Sequence, residues 1–424
     1  MTARNAATEP SPVPVRPWGE APGRGGGSGP SRNGLLDLEE ARRWFALLRW
    51  GSDRDLYTYQ QPLEGRSGPR VRVRGEPLLM LSSYDYLGLI GHPAIEAAAV
   101  DAVRRHGTGT GGVRLLTGTT ELHRALERDL AAFQGTEAAL TFSSGYAANM
   151  AVIPALFGPR DRVIADANVH RSAIDACLLA RVPVRRFAHN DTESLERALA
   201  NPSRARRTLI MVEGVYSMDG DVCPLPEIVA IKKRHGALLL IDEAHAIGVL
   251  GQTGRGVHEH FGLPASCADV WTGSLSKAIP ANGGFVAGSM DLITYLQHAG
   301  APFIFSAALC PAAAGSVRAA LRVIAEEPGR ICRMRARARQ LRDGLRAIGH
   351  DTGASSTSIV PVLLGADLDA YQLARRLLGL GAIAIAVVHP AVPRGQARLR
   401  LCATAGHSET DIDEALEAFR RARS

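Results

Sequence analysis

Lysine is nearly missing. The chain has 424 residues and 49 basic ones, yet only three are lysines: Lys232, Lys233 and Lys277. That scarcity tests one class of function directly. The stretch 238–245, LLLIDEAH, has the look of a magnesium-binding strand in a nucleotide-driven motor. Such a motor also needs Gly-x-x-x-x-Gly-Lys-Ser/Thr, whose lysine reaches the terminal phosphates. Lys232 precedes Lys233, Lys233 precedes Arg234 and Lys277 precedes Ala278, and none of them follows a glycine. The glycine-rich GTGTGGVRLLTGT holds no lysine at all. The motor reading fails.

Other shortages narrow the field. The six cysteines are scattered without a Cys-x-x-Cys pair. A disulfide frame and a zinc site are therefore not expected, and a reducing cytoplasm is the expected compartment. No apolar run reaches the length of a membrane span, so none is expected. The N-terminus lacks the charged start and apolar core of a secretory signal. Aromatic residues make up 5% of the chain. They do not interleave with basic residues as single-strand nucleic-acid binding requires, and no nucleic-acid partner is expected.

The formal charge is +7, nearly all of it from arginine. In ICRMRARARQLRDGLRAIG the apolar Ile331, Met334, Ala338, Leu341 and Leu345 recur at helical spacing. The arginines fall on the outer faces. Most of this charge reads as solvated surface. The remainder would suit an anionic substrate, such as a thioester carried on a nucleotide, or an acidic protein.

Residues 1–33 are rich in Gly, Pro, Ser and Arg and are expected to be a disordered tail. Residues 34–92 open with a helical pattern and continue into VRVRGEPLLMLSS, which reads as a small hairpin. ELHRALERDLAAFQG is an amphipathic helix ended by Gly135. Short apolar strands then alternate with helices: AALTF, DRVIAD, PVRRFA, RTLIMVEGV, ALLLID and DVWTGS. This rhythm predicts an α/β fold, a mostly parallel sheet with helices on both faces, across residues 93–305. Catalytic groups in such sheets gather at the carboxyl ends of strands. Residues 306–424 are expected to form a smaller α+β C-terminal domain.

Asp242 ends one of these strands and Lys277 follows the next. An acid and a lysine so placed suit pyridoxal phosphate (PLP). Its pyridine ring stores carbanion electrons best when a buried carboxylate keeps the ring nitrogen protonated, and a lysine must hold its aldehyde. Lys232 and Lys233 lie in a polar helix and read as solvent-facing, which leaves Lys277 as the cofactor's lysine.

The motifs GTGTGGVRLLTGT, ELHRALE, TFSSGYAAN, DANVHRS, EGVYSMDGD, IDEAHAIGVLGQTGRG, TGSLSKA and ARLRLCATAGHSETDID follow one another in the chain. In this order and spacing the chain resembles the α-oxoamine synthases, fold-type-I PLP enzymes, from residue 82 to near the C-terminus. The resemblance implies condensation of a small amino acid (glycine, alanine or serine) with an acyl thioester, on coenzyme A or a carrier protein, with loss of carbon dioxide. It implies a homodimer with shared active sites. It implies that the amides of Gly145 and Tyr146 hold the cofactor phosphate with Ser274, and that His170 stacks on the ring. Ser217 and His245 would touch the phenolic oxygen, and Arg400 would clamp the amino-acid carboxylate. Ser306 would reach the phosphate across the dimer interface. His170 and His245 would polarise the thioester carbonyl or assist protonation. Taken alone, His170 reads as a surface histidine, Ser274 as a core-lining serine and Arg400 as an exposed strand arginine.

Some positions depart from the family. Tyr84 stands where Asn is usual, as in serine palmitoyltransferase members, and touches substrate preference. Ala307 replaces a common Thr, and Pro280 and Asn282 interrupt a usual glycine run. An aminotransferase on the same fold would use the same Asp and Lys. A desulfurase-type enzyme needs a reactive cysteine, and a catalytically dead subunit would lack Lys277.

Overall fold

A computed structural model of the chain describes residues 34–423. The tail expected at 1–33 lies outside the described residues. After a helix, Glu39–Asp53, the chain forms the predicted hairpin, β1 (Arg70–Val73) against β2 (Glu76–Met80). The amphipathic helix at Glu121–Gln134 is capped at its start by Thr120 and His123. Its end is Gly135 in the left-handed region, at φ 78°, a backbone conformation that glycine adopts without penalty.

The central sheet takes β3 (Ala138–Phe142), β4 (Arg162–Asp166), β5 (Val184–Phe187), β6 (Thr208–Glu213), β7 (Leu238–Asp242), β8 (Val270–Ser276) and β9 (Pro280–Gly288). Their spatial order is β3-β9-β8-β7-β6-β4-β5. β5, β4, β6, β7 and β8 are mutually parallel, as expected. β6, β7 and β8 are covered on both faces, so most of their residues are buried, and β6 and β7 are apolar between their ends.

β9 runs antiparallel to both β8 and β3. Its sequence, PANGGFVAG, is not among the strands read from the sequence and holds three glycines. Packing explains them. A Cβ on Gly284 would stand 2.3 Å from the Ser144 carbonyl oxygen. A side chain there would push away the loop that starts helix Gly145–Leu156.

A second sheet, β10 (Ile359–Gly365), β12 (Ile385–Val387) and β13 (Ala397–Cys402), is antiparallel in the order β10-β13-β12. The two-residue β11 (Ala382–Ile383) instead extends the hairpin beside β2. Helices Gly329–Ile348, Asp367–Gly379 and Glu409–Arg423 share a separate apolar cluster with this sheet. Helix Pro311–Glu326 packs into the larger cluster around the central sheet. Arg398 and Arg400 alternate on one face of β13 and both reach into the large unit.

Gly284→Ala should cost about 1–3 kcal/mol through overpacking at this contact. Urea denaturation will show it as a lower unfolding free energy.

Candidate active site

The carboxyl ends of β3, β4, β6, β7 and β8 converge on a cavity of about 260 Å³. Asp242, the last residue of β7, forms its floor. Its Oδ2 accepts a hydrogen bond from Asn149 Nδ2 at 2.9 Å, and its Oδ1 accepts one from the Ala244 amide at 2.9 Å. Asn149 sits on helix Gly145–Leu156 and also donates to Ser172 Oγ at 2.9 Å. The carboxylate is thus fixed by two donors from different elements.

Glu213 ends β6 directly beside it, in register with Asp242. It accepts the His170 amide at 2.5 Å. Burial drives its acidity well below that of an ordinary glutamic acid, and the neighbouring Asp242 charge adds to this. Two adjacent carboxyl groups cannot both ionise cheaply. Glu213, with the single amide donor, keeps its proton.

Lys277 leaves β8 at the turn into β9, half-buried in the same cavity. Its amine makes no hydrogen bond among the described residues. Burial lowers its pKa against the opposing pull of Asp242, and the Arg400 charge lowers it further. The remaining lysines are elsewhere. Lys233 is exposed. Lys232 was expected to face solvent, but its side chain is 15% exposed. It folds back onto Asp269 at 2.6 Å and the Cys267 carbonyl at 3.1 Å.

Above the floor, a relay sets the state of His245. Arg400 Nη2 donates to Tyr86 Oη at 3.1 Å, because guanidinium has only donors. The Tyr86 oxygen accepts there, so its own proton goes to His245 Nδ1, 2.7 Å away. Nε2 of His245 therefore carries the ring's hydrogen. Burial holds this histidine neutral, well below its ordinary pKa, and Lys277, Arg400 and His170 reinforce the effect. Tyr84 stands edge-on to His245, with ring centroids 6.0 Å apart, and its ring face lies 4.5 Å from the Arg400 guanidinium carbon.

One corner is built for an anion. Ser144 caps helix Gly145–Leu156, its Oγ accepting from the Ala147 amide at 3.1 Å. The free amides at this helix start open toward Ser274 and Ser276, whose hydroxyls share a 2.8 Å hydrogen bond. A Cβ on Gly145 would press against Ser274 at 3.0 Å. Opposite, His170 caps helix Arg171–Ala180 through its ring nitrogen.

Lys277, Asp242, His170, His245, Gly145, Tyr146, Ser217, Ser274 and Tyr84 all line this cavity. Arg400 does not. It is buried, its Nε donating to the Ser217 carbonyl at 2.5 Å and its Nη1 to Cys402 Sγ at 3.0 Å. It is therefore no exposed strand arginine. Ser306 also lies outside the cavity, beside the glycine-rich loop, where the Ala308 amide meets the Gly112 carbonyl at 3.2 Å. Glu213, Asn149, Ser172 and Ser276 line the cavity without having been singled out in the sequence. Asn149 was within reach, one helical turn after Gly145 in SSGYAAN. The donor set fits PLP: an acid for the ring nitrogen, an amine for the aldehyde, and a helix start with two hydroxyls for the phosphate.

Relatives decide the family. Residues 76–419 match the model for aminotransferase class I and II. The 8-amino-7-oxononanoate synthase of Geobacter sulfurreducens is 46% identical over 371 residues, covering 87% of this chain and 95% of the relative. The enzyme of the same name from Bacillus subtilis is 39% identical, over 89% and 96% of the two chains. Among solved structures, Sphingomonas wittichii serine palmitoyltransferase superposes with a TM-score of 0.85. It is 34% identical and covers 92% of this chain and 97% of that one.

The chain belongs to the α-oxoamine synthases. It is a PLP-dependent acyltransferase of that branch of the class I and II family. Its fold is the type-I fold of the branch.

Outside the lining of the α-oxoamine synthase cavity, His189, just after β5, ties the end of β4 to the loop that follows β6. Its Nδ1 meets Asp166 and its Nε2 meets Asp221, each at 2.9 Å. His189, Asp219 and Asp221 lie close enough to hold a metal, but Asp219 is bound by Arg398 and Asn168. Burial opposes charge on His189. The two carboxylates outweigh it and raise its pKa to about 10. A raised histidine stabilises the fold fully below its unfolded value of 6.5 and loses that contribution as pH rises toward about 10. His189→Gln should therefore lower stability at pH 6 and flatten its decline across pH 6.5–10, as read by urea melts at a series of pH values.

Proposed function

We propose that the protein condenses a small amino acid (glycine, alanine or serine) with an acyl thioester borne on coenzyme A or on an acyl-carrier protein. Carbon dioxide and the free thiol leave, and an α-aminoketone remains. The Cα–carboxylate and C–S bonds break, and a bond forms between Cα and the acyl carbon. One proton is removed from Cα, one is returned after carbon dioxide leaves, and the departing thiolate takes one more, so that a single proton is drawn from solvent overall. The observation that carries this reading is Lys277 and Asp242 meeting in one small cavity. The relatives named for 8-amino-7-oxononanoate and for serine palmitoyl transfer support it.

When bound, the cofactor supplies an aldehyde that Lys277 and the amino acid occupy in turn, and a ring that takes up electrons released at Cα. The residues do the rest. The Lys277 amine, with its pKa lowered by burial, takes the Cα proton and gives one back. Asp242 would hold the proton on the ring nitrogen. His245 would offer its Nε2–H to the phenolic oxygen beside Ser217, and His170 would cover the ring face. Either histidine would then serve the thioester carbonyl. Ser217, Cys402 and Tyr86 take three of the five Arg400 N–H groups, and the other two would receive the amino-acid carboxylate once the Tyr84 ring that covers the guanidinium moves aside. The cofactor would fill most of the cavity, which favours an amino acid with a small side chain.

A second copy is part of this reading. Leu116 and Phe305, 77% and 82% exposed, flank the glycine-rich loop and Ser306, and a partner would cover them. Ser306 would then serve the partner's phosphate corner. Among the described residues no helix is long and apolar enough to cross a membrane. The cysteines are unpaired, which suits a reducing compartment such as the cytoplasm.

Borohydride reduction of the holoenzyme should fix the cofactor's mass on Lys277 in a peptide digest. Lys277→Ala should show neither the added mass nor condensation. Asp242→Asn should keep the mass but lose about 10²–10⁴-fold in kcat. Turnover in Lys277→Ala would refute the reading, and a keto-acid-dependent, thioester-independent reaction would favour an aminotransferase.

A further inference from the structure

A second cavity, of about 450 Å³, opens beside the first and shares His170, Ser217 and Met218 with it. Its walls come from the sheet edge at β5, the start of helix Arg171–Ala180 and the segment 389–398 between β12 and β13. The charge on those walls is one-sided. Arg171, Arg186, His389 and Arg398 line it, and Asp219 is the one carboxylate among the lining residues.

Most of these charges are spoken for. Arg398 Nη1 donates to Asp219 at 2.5 Å, and Arg171 pairs with Asp175 at 2.6 Å. Arg186 differs. It is exposed and reaches only the Ala167 carbonyl, at 3.5 Å, with no carboxylate against it among the described residues. His389 is exposed across the cavity. An uncompensated guanidinium in a cleft that leads to the reacting carbons attracts an anion.

Building on the condensation reading, we propose that this side cavity receives the phosphate of the pantetheine arm that carries the acyl group, with Arg186 and His389 as its donors. The thioester end of that arm must reach Lys277, and Ser217 and Met218 form the passage between the two cavities. Coenzyme A and an acyl-carrier protein both present this phosphate.

Arginine on β5 has an ordinary use as well. β5 closes the sheet, and charge on an edge strand discourages pairing with other chains. Arg185 and Arg186 are both exposed there. Successive strand residues point to opposite faces, and only Arg186 of the two lines the cavity. Arg185 is the internal control.

The test compares Arg186→Ser, His389→Ser and Arg185→Ser holoenzymes, using one acyl chain on coenzyme A, on carrier protein and on pantetheine without phosphate. For acyl-CoA, Arg186→Ser should raise KM about tenfold at unchanged kcat, the loss of one charge-assisted hydrogen bond. His389→Ser should raise it less, and Arg185→Ser should leave it alone. Acyl-pantetheine should respond to none of the three. A matching rise with carrier protein shows that both carriers use the subsite, and a rise with acyl-CoA alone identifies coenzyme A as the donor. An unmoved KM for the phosphate-bearing donors, or an equal rise on acyl-pantetheine, overturns the proposal. Exchange of the amino-acid Cα–H in D2O needs no thioester and is followed by NMR on the same samples. No exchange in the wild type would sink the condensation reading itself. Normal exchange with an unmoved KM would sink only the subsite.

Discussion

Hydrogen bonding between β7 and β8 holds the site together. Asp242 faces Thr272 across that pair, and Lys277 emerges one strand-length later at the same end of the sheet. Both strands are buried on their two faces, so polar chemistry can surface only where they stop. A carboxylate at such a point loses much of its water. The Asn149 amide and the Ala244 N–H replace that hydration, which ties helix Gly145–Leu156 to the floor. The same helix presents its free N–H groups to the phosphate corner. One rigid element therefore sets the distance between the acid and the anion site.

A second layer of order runs through β13. Arg398 and Arg400 point the same way from alternate positions and grip successive parts of one loop, at the Met218 and Ser217 carbonyls. Arg400 continues through Tyr86 to His245. The proton position on a histidine in the large unit thus depends on a strand of the small unit. A shift of β13 would be felt at His245 and at Ser217 together. The small unit is in this sense part of the catalytic apparatus, although Arg400 does not line the cavity.

Much of this was legible in the sequence, and the exceptions share a cause. Apolar runs located the buried strands, and Gly135 ended a helix because caps are local chemistry. Asp242 and Lys277 could be paired because a lysine count left one candidate. β9 was hidden because its glycines answer to the Ser144 carbonyl, a contact between residues far apart in the chain. Glu213 was hidden because its role comes from lying beside Asp242 on the next strand, an adjacency that no local pattern encodes. Lys232 looked solvent-facing in a polar helix until Asp269 and the Cys267 carbonyl supplied partners. Arg400 was expected to be available to a carboxylate. Its strand position was readable, but the groups that occupy its donors lie on other elements.

The bias toward arginine has a chemical consequence for an aldehyde cofactor. Free amines condense with aldehydes, whereas guanidinium stays protonated and does not. Of the three amines on lysine side chains, Lys232 is held by a carboxylate, Lys233 is out in solvent, and Lys277 alone stands in the cavity. Burial makes that amine easier to deprotonate, while Asp242 restrains the effect. The chain can therefore carry a strongly basic surface, including the walls of the side cavity, without offering the cofactor a competing nucleophile. Positive charge and amine reactivity usually travel together on lysine. Here they are separated, with charge spread over arginines and reactivity confined to one residue.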